Sequence, residues 1–329
     1  MKHPVKFYLG KASPGVLVDT SRTGKARPWV SHKLNSVYLA DSFRRLQDFT
    51  RASKIHECGT WLKFSQCPQG HVEGQQLLRA SFCRQRLCPL CSWRRSLLVA
   101  DQVLNIAHQL HQDTRCRFLF VTLTCRNVQA DELSQTFTHL VKALSRFFSS
   151  KPVKAVVLGS FRALEVTVSR AKGYHPHFHL LLSVPPSYFT RSYITQEQLT
   201  ELWRCALGVD YVPIVDVRAV KSSGKGLAGA VAETAKYTLK ASDYIDAEDW
   251  DYTDRNVSTL HLSLKGRRSY AFTGNMKETY RQLYGTADLE VASADLVAAD
   301  LQRCECPVCQ SDLAETVFRW NWKEQNYVS

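Results

Sequence analysis

The sequence predicts an α+β protein with one mostly antiparallel sheet and helices packed on it. Two observations favour this class. First, RFLFVTLTC (117–125) is a β-branched and aromatic run, and the strand-like segments 155–169 and 174–184 flank the turn AKG, which is a hairpin signal. Second, segments with apolar residues at helical spacing lie between these strands.

The order of the elements follows from the same patterns. Before the sheet, a short helix is expected near 41–52, and Ser96 to His111 form an amphipathic helix. From residue 117 the predicted order is strand, helix, strand pair, helix, strand and helix. Their bounds are 117–125, 131–149, 155–169, 174–184, 194–207, 211–220 and 227–242. The acidic stretch 243–254 is expected to be a solvated face or a linker.

Three regions are expected along the chain. Residues 1–110 form a basic amino-terminal region with a Cys-rich, zinc-binding segment at about 55–95, residues 111–245 form the core, and residues 246–329 form a carboxyl-terminal extension. No apolar stretch is long enough to span a bilayer, and the first residues carry no signal-peptide pattern. A cytoplasmic location is therefore expected.

The positive charge is concentrated at the amino terminus. Residues 1–100 hold 17 Lys and Arg against 5 Asp and Glu, which is +12 of the chain's net charge of +13. A basic region of this kind suits an acidic polymer such as nucleic acid, whose condensed counterions it releases on binding. The alternative is a basic surface that only aids solubility.

Three histidines alternate in YHPHFHLLL (174–182). Side chains two residues apart on a strand share a face, so His175, His177 and His179 point one way while the apolar residues point into the core. Glu165 lies on the matching face of the preceding strand. Two imidazoles and a carboxylate suit Mg²⁺ or Mn²⁺ acting on a phosphate, although the imidazoles would also accept Zn²⁺ or Ni²⁺. The alternative is a row of surface histidines.

The helix AETAKYTLK (232–240) places Glu233 and Tyr237 four residues apart, and therefore on one face. A tyrosine hydroxyl can attack a phosphodiester if a cation stabilises the developing phenolate and the scissile phosphate. Glu233 could then activate water or a hydroxyl in a second transfer. Taken alone, the helix is consistent with an exposed amphipathic face; its position after the histidine hairpin favours the catalytic interpretation.

Eight of the 11 cysteines lie in two clusters, and the spacing indicates zinc rather than disulfides. Cys88-Pro-Leu-Cys91 has zinc-knuckle spacing, and Cys83 lies five residues before it. The fourth ligand must come from Cys58, Cys67 or His71.

A second knuckle, one ligand short, lies near the carboxyl terminus. A second zinc would join Cys306 and Cys309 either to Cys67 and His71 or to Cys304, tying the tail to the amino-terminal region. The alternative is a separate or partial site in the tail.

Three segments in order resemble the replication initiators of small rolling-circle plasmids, within the HUH endonuclease superfamily (His, apolar residue, His). They are FLFVTLTC (118–125), LEVTVSRAKGYHPHFHLLLSV (164–184) and ETAKYTLKASDY (233–244), and the cysteine segment 57–98 looks like the stretch upstream of that core. The resemblance implies a ferredoxin-like or RRM-like antiparallel sheet with helices on its faces. It also implies metal-dependent nicking and joining of single-stranded DNA at a plasmid origin.

The resemblance assigns roles to individual residues. It implies that His177, His179 and Glu165 hold the catalytic ion, that Tyr237 takes the 5′ phosphate and leaves a 3′ hydroxyl primer, and that Glu233 is the base for the terminating hydrolysis. Lys236 and Lys240 would contact phosphates, and Tyr244 is a weaker nucleophile candidate than Tyr237. His175 matches a family position, but whether it binds the ion stays open. For the zinc, the resemblance favours the set Cys58, Cys83, Cys88 and Cys91.

Four arginines beside that zinc segment are expected to be available for DNA phosphates. They are Arg84, Arg86, Arg94 and Arg95. The alternative is an exposed basic face.

Two other functions share parts of these patterns. One is an HUH-type single-strand transposase, and the other is a non-catalytic, zinc-containing DNA-binding regulator. SSGKGLAG (222–229) lacks the nucleotide-binding pattern G-x-x-x-x-G-K-[ST], so an initiator of this kind would need a separate host helicase and DNA polymerase.

Overall fold

The computed structural model describes residues 15–21, 24–221, 226–235, 239–285, 296–297 and 304–329. Its helices are α1 (Trp29–Arg45), α2 (Phe49–His56), α3 (Pro89–Thr114), α4 (Leu133–Ser149), α5 (Lys151–Val156), α6 (Tyr188–Arg191), α7 (Gln196–Leu207), α8 (Gly226–Thr234), α9 (Ala241–Tyr244), α10 (Trp250–Leu264) and α11 (Gly274–Tyr284). Its strands are β1 (Trp61–Gln66), β2 (Gln76–Ala80), β3 (Arg117–Thr124), β4 (Gly159–Ser169), β5 (Gly173–Val184), β6 (Val215–Ala219), β7 (Tyr270–Thr273), β8 (Ala314–Asn321) and β9 (Asn326–Val328).

The strands form two antiparallel sheets. A five-stranded sheet has the order β6-β3-β5-β4-β7, and a four-stranded sheet has the order β2-β1-β8-β9. Together with the helices they confirm the predicted α+β class. None of the helices in the described part of the chain is long and apolar enough to cross a membrane.

The five-stranded sheet is covered on both faces. On one face, Phe178 and Leu180 of β5 pack in the same apolar cluster as Phe137 and Leu140 of α4, with α7 and α10 alongside. The opposite face is covered by α3, α8 and α11, whose apolar side chains pack in a second cluster with Leu181 of β5. Both faces are buried because the strands are apolar on both sides over part of their length.

The β4–β5 hairpin forms where the sequence predicts it. Its register places Glu165 directly opposite His177 and Ala163 opposite His179. Gly173 ends the turn with φ of +73°, and a Cβ there would lie 2.5 Å from the carbonyl oxygen of Val128. Only glycine fits this position without strain, so the register of the hairpin is fixed at its turn.

Two helix predictions differ from the structure. The single helix expected near 41–52 is two helices, α1 and α2, which are separated at Gln47 with φ of +63°. Asp48 accepts a hydrogen bond from the backbone N–H of Arg51 and caps α2. In the segment 227–242, α8 ends at Thr234 and α9 begins at Ala241, with 236–238 outside the described residues.

The sequence predicts a solvated face or a linker at 243–254, and the linker alternative is wrong because the end of α9 and the start of α10 lie in this segment. Glu248 and Asp251 are exposed, as a solvated face requires. Asp249 caps α10 by accepting a hydrogen bond from the N–H of Tyr252. Arg170, in the turn after β4, pairs with Asp246 at 2.5 Å and with Asp249 at 2.7 Å. The acidic side chains therefore attach this segment to the hairpin that carries the histidines.

Residues after 245 contribute to both sheets. Strand β7 pairs with β4 in the five-stranded sheet, while β8 pairs with β1 over six residue pairs, from Trp61 with Arg319 to Gln66 with Ala314. Val16 also bridges to Val328. The two ends of the described chain are therefore adjacent in space.

Candidate functional site

Glu165, His177 and His179 converge on one face of the five-stranded sheet. Nε2 of His179 lies 3.1 Å from Oε2 of Glu165, and Nε2 of His177 lies 3.7 Å from the same oxygen. Their ligand atoms all lie within 4.8 Å of one another, so the three groups could hold a metal ion. The alternation of the strand and the register of the hairpin produce this grouping, as the sequence predicts.

Each imidazole is oriented through its other nitrogen. Nδ1 of His177 donates to the carbonyl oxygen of His175 at 3.1 Å, so the other ring nitrogen, Nε2, is the one that faces Glu165. Nδ1 of His179 lies 3.1 Å from the hydroxyl of Thr122, which is opposite His179 on β3. Such partners fix the rings that bind metals.

Thr122 has a structural role that sequence reasoning missed. The available signal was its position in FVTLT, where it alternates with Phe120 and Thr124 and therefore shares the histidine face. Phe120 also stacks on the ring of His179, with centroids 5.5 Å apart. The contact between Thr122 and His179 could be predicted only from the register of β3 and β5, which no local pattern provides.

The carboxyl group of Glu165 is ionised at neutral pH. Burial raises its pKa, but hydrogen bonds and charge from His177 and His179 outweigh the burial and bring the pKa to about 2. Glu165 is 9% exposed and His177 is 7% exposed, so the cluster is largely shielded from water. An ionised carboxylate is the form that binds a cation.

His175 lies beside this cluster and outside it. Its Nε2 is 3.0 Å from the carbonyl oxygen of Cys125, and its ring stacks on that of His177 with centroids 5.2 Å apart. Burial lowers the pKa of His175. The contacts of His175 are therefore those of a residue that supports the cluster.

The helix that precedes the predicted nucleophile packs on the same sheet face. Val231 and Ala235 belong to the apolar cluster that contains Phe120 and Leu181, and these two sheet residues alternate with Thr122 and His179 along their strands. Glu233 is half-buried on α8, and Lys240 is exposed at the start of α9. Lys236 and Tyr237 lie outside the described residues.

Tyr244 is unsuited to act as a nucleophile. It is fully buried, and its hydroxyl donates a hydrogen bond of 2.7 Å to the carbonyl oxygen of Leu87. Burial raises the pKa of its hydroxyl far above the ordinary value. The structure agrees with the weaker ranking that the sequence gives Tyr244.

Four cysteines from three segments form a second group that could hold a metal ion: Cys58, Cys83, Cys88 and Cys91. The Sγ atom of Cys58 lies 3.5 Å from that of Cys91 and 3.6 Å from that of Cys88, and the Cys83 and Cys91 sulfurs are 3.7 Å apart. A tetrahedral zinc with Zn–S bonds of about 2.3 Å separates its sulfurs by about 3.8 Å. The cysteine geometry therefore fits zinc.

Neighbouring polar groups are directed at these sulfurs. The backbone N–H of Cys83 donates to Sγ of Cys58, the N–H of Arg84 donates to Sγ of Cys91, and the hydroxyl of Ser36 lies 3.4 Å from Sγ of Cys88. Donors of this kind stabilise thiolates.

The four arginines near this group have different surroundings. Arg84 is exposed and Arg95 is half-buried. Arg94 is fully buried and donates to the carbonyl oxygen of Leu296 at 3.0 Å, which corrects the expectation that it is available to phosphates. Arg86 likewise donates to backbone and hydroxyl oxygens of 264–269 within the fold.

A third group combines Cys67 and His71 with Cys306 and Cys309, and its ligand atoms also lie within 4.8 Å of one another. Of the two arrangements that the sequence left open for these residues, the structure has the one that joins the tail to the amino-terminal region. Cys304 is exposed and does not belong to the group.

Comparison with known proteins gives the family. A family model described as “Replication protein” matches residues 74–328. A protein named Protein rep from Lentilactobacillus hilgardii is 35% identical over 322 residues, which is 96% of this chain and 99% of that protein. Another, from Streptococcus pneumoniae serotype 2 (strain D39 / NCTC 7466), is 36% identical over 318 residues and 95% of each chain. No solved structure matches the chain.

The chain belongs to the replication protein (Rep) family, which confirms the resemblance to Rep proteins seen in its sequence.

Proposed function

We propose that the chain initiates rolling-circle replication of a plasmid by nicking and rejoining single-stranded DNA at the origin. The observation that carries this proposal is the cluster of Glu165, His177 and His179 on the sheet face against which α8 packs, the helix that leads to Tyr237. Membership in the Rep family supports the replication role over that of a transposase.

The ion suits the residues that would hold it. Two imidazoles and one ionised carboxylate leave positions open for phosphate oxygens, and Mg²⁺ or Mn²⁺ is the proposed ion. When bound, it would supply positive charge to the scissile phosphate and to the developing phenolate. Thr122 and the backbone of His175 would hold the two imidazoles in their coordinating orientation.

Tyr237 is the proposed nucleophile. Its hydroxyl oxygen would form a bond to the phosphorus while the bond to the 3′ oxygen breaks, giving a 5′-phosphotyrosine and a free 3′ hydroxyl that primes synthesis. Glu233, four residues before Tyr237 in the sequence, would accept a proton from water or from a DNA hydroxyl in the second transfer. Lys236 and Lys240 would contact phosphate oxygens.

The Cys58, Cys83, Cys88 and Cys91 group is the proposed site of a structural zinc ion. Four protein ligands close its coordination sphere, so the ion would have no open position for chemistry. Arg84 and Arg95, on the segment that this zinc would order, remain the proposed phosphate contacts of that region. A host helicase and DNA polymerase would unwind the duplex and extend the primer.

The nucleophile is tested with Tyr237→Phe and its matched control Tyr244→Phe. Each variant is incubated with single-stranded origin oligonucleotides and Mg²⁺ or Mn²⁺, and cleavage and covalent adduct are measured on denaturing gels. Cleavage and adduct should disappear in Tyr237→Phe and persist in Tyr244→Phe. An adduct in Tyr237→Phe would refute the assignment, and a wild-type protein that binds DNA but never cleaves it would favour the regulator.

The ligand assignment is tested with His177→Ala and His175→Ala. We expect His177→Ala to lower the nicking rate more than about 100-fold, and His175→Ala to lower it less than about 100-fold, within the usual effect of losing a residue that supports the ligands. The difference arises because, of these two histidines, His177 directs Nε2 at Glu165 and His175 directs it at a backbone carbonyl. Equal losses in the two variants would contradict the assignment.

A further inference from the structure

Two segments from opposite ends of the chain bring metal-binding side chains together. Cys67 and His71 lie in the connection between β1 and β2, and Cys306 and Cys309 lie just before β8. We propose that these four residues bind a second structural zinc ion, which fastens the carboxyl-terminal strands to the amino-terminal sheet. The inference does not depend on the proposed nicking activity.

The distances fit tetrahedral zinc. Sγ of Cys67 lies 3.4 Å from Sγ of Cys309 and 3.3 Å from Nδ1 of His71, and Sγ of Cys306 lies 3.7 Å from the same nitrogen. Bonds of about 2.3 Å to sulfur and about 2.0 Å to nitrogen place ligand atoms about 3.5 to 3.8 Å apart. Three sulfurs and one imidazole nitrogen form a common structural zinc set.

A disulfide accounts for this group less well. The Cys67 and Cys309 sulfurs are 3.4 Å apart, far beyond the bonded distance of about 2.05 Å, and all three cysteines are free. A disulfide would also leave His71 and the third cysteine without a role. The imidazole nitrogen directed at the sulfurs indicates a metal ion.

Each pair of ligands is presented by a tight turn. In Cys67-Pro-Gln-Gly70, the N–H of Gly70 donates to the carbonyl oxygen of Cys67 at 2.9 Å. In the second turn, the N–H of Gln310 donates to the carbonyl oxygen of Cys306 at 2.8 Å, and the backbone N–H groups of Val308 and Cys309 are directed at Sγ of Cys306. Both turns begin with Cys-Pro and direct their thiols inward.

Gly74 lies directly against two of the cysteines. A Cβ at Gly74 would lie 3.3 Å from Sγ of Cys306 and 3.3 Å from Cβ of Cys67. The backbone at Gly74 thus packs against the two cysteines, and Cys67 and Cys306 are both buried. Four protein ligands leave no open position, which is the arrangement of a structural site.

The location explains what the ion would stabilise. The ladder between β1 and β8 ends at Gln66 and Ala314, and Cys67 follows directly on Gln66. A zinc ion there would join two segments that are far apart in sequence and would stabilise the last residue pair between β1 and β8. A crosslink that closes so long a loop reduces the entropy of the unfolded chain most.

The test measures zinc in the full chain by mass spectrometry. Wild-type protein should hold two zinc ions, one for each of the two cysteine groups. Cys309→Ser should lose one of them, while the control Cys304→Ser, altered at an exposed cysteine outside the group, should keep both. If Cys309→Ser retains both ions, or if the wild type shows a disulfide between Cys67 and Cys309, the proposal is overturned.

A second variant guards against a chain that fails to fold. His71→Cys keeps four ligands, so it should keep both ions, and after Co²⁺ replacement its thiolate-to-metal absorption should exceed that of the wild type because one more thiolate binds. Unchanged absorption would mean that residue 71 is not a ligand, which contradicts the proposal.

Hydrogen exchange measures the structural effect of losing the ion. Amides of β8 should exchange faster in Cys309→Ser and at the wild-type rate in Cys304→Ser.

Discussion

At the scale of single residues, the orientation of side chains decides which histidines could bind an ion. His175, His177 and His179 have the same residue type and the same face, but only the last two direct Nε2 at Glu165. His175 directs its Nε2 at a backbone carbonyl instead. The alternation of a strand predicts the shared face, whereas the rotation of each ring depends on its hydrogen-bond partner, which for His179 is Thr122 on a neighbouring strand.

Thr122→Val tests whether the neighbour of His179 positions it. Valine keeps the volume but removes the hydroxyl that lies 3.1 Å from Nδ1 of His179. Metal affinity, measured by titrating Mn²⁺ in the nicking assay, should fall about 10- to 100-fold. Thr167→Val, at an exposed position of β4, is the control and should leave the affinity unchanged. Equal affinities in Thr122→Val and the wild type would show that the hydroxyl is dispensable.

At the scale of elements, the edge strand β7 is attached through a close approach of backbones. Gly274 follows β7 with φ of +53°, and a Cβ there would overlap the carbonyl oxygen of Leu158 and lie 2.8 Å from Cα of Gly159. The sequence predicts neither β7 nor its pairing with β4, since four residues are too few to give a periodic signal. The hairpin β4–β5, with its long alternating strands, was predictable.

Gly274→Ala should therefore destabilise the fold more than Gly266→Ala. Both glycines have positive φ, so alanine costs each about 1–2 kcal/mol. Nothing lies within 4 Å of the Cβ position at Gly266, whereas at Gly274 the overlap with backbone adds about 1–3 kcal/mol. Urea denaturation of the two variants measures the difference. Equal free energies of unfolding would contradict the close approach.

At the scale of the whole molecule, the two ends of the chain build one sheet. Strands β1 and β2 come from the amino-terminal region, and β8 and β9 from the last residues. Tyr327 fastens them: it is fully buried, and its hydroxyl donates a hydrogen bond of 2.7 Å to the carbonyl oxygen of Gly59. Removing the end of the chain would thus expose an edge and open the core of the amino-terminal region.

Tyr327→Phe is expected to lower the free energy of unfolding by about 1–3 kcal/mol, because the carbonyl of Gly59 would be left buried without its partner. Tyr193→Phe, at a side chain that is 61% exposed, should change it by less than about 0.5 kcal/mol. Thermal or denaturant unfolding monitored by circular dichroism provides the comparison. If the two variants had the same free energy of unfolding, the hydrogen bond between Tyr327 and Gly59 would not stabilise the fold.

The sequence by itself determined the α+β class, the histidine hairpin and the two cysteine-knuckle patterns, because alternation and ligand spacing are local properties of the chain. Tertiary structure decided which distant groups meet: Thr122 with His179, and Cys67 and His71 with Cys306 and Cys309. It also took Arg94 into the core, although its basic neighbourhood predicts an exposed side chain. Strand register and the pairing of chain ends depend on the free energy of packing the whole chain, which no short segment encodes.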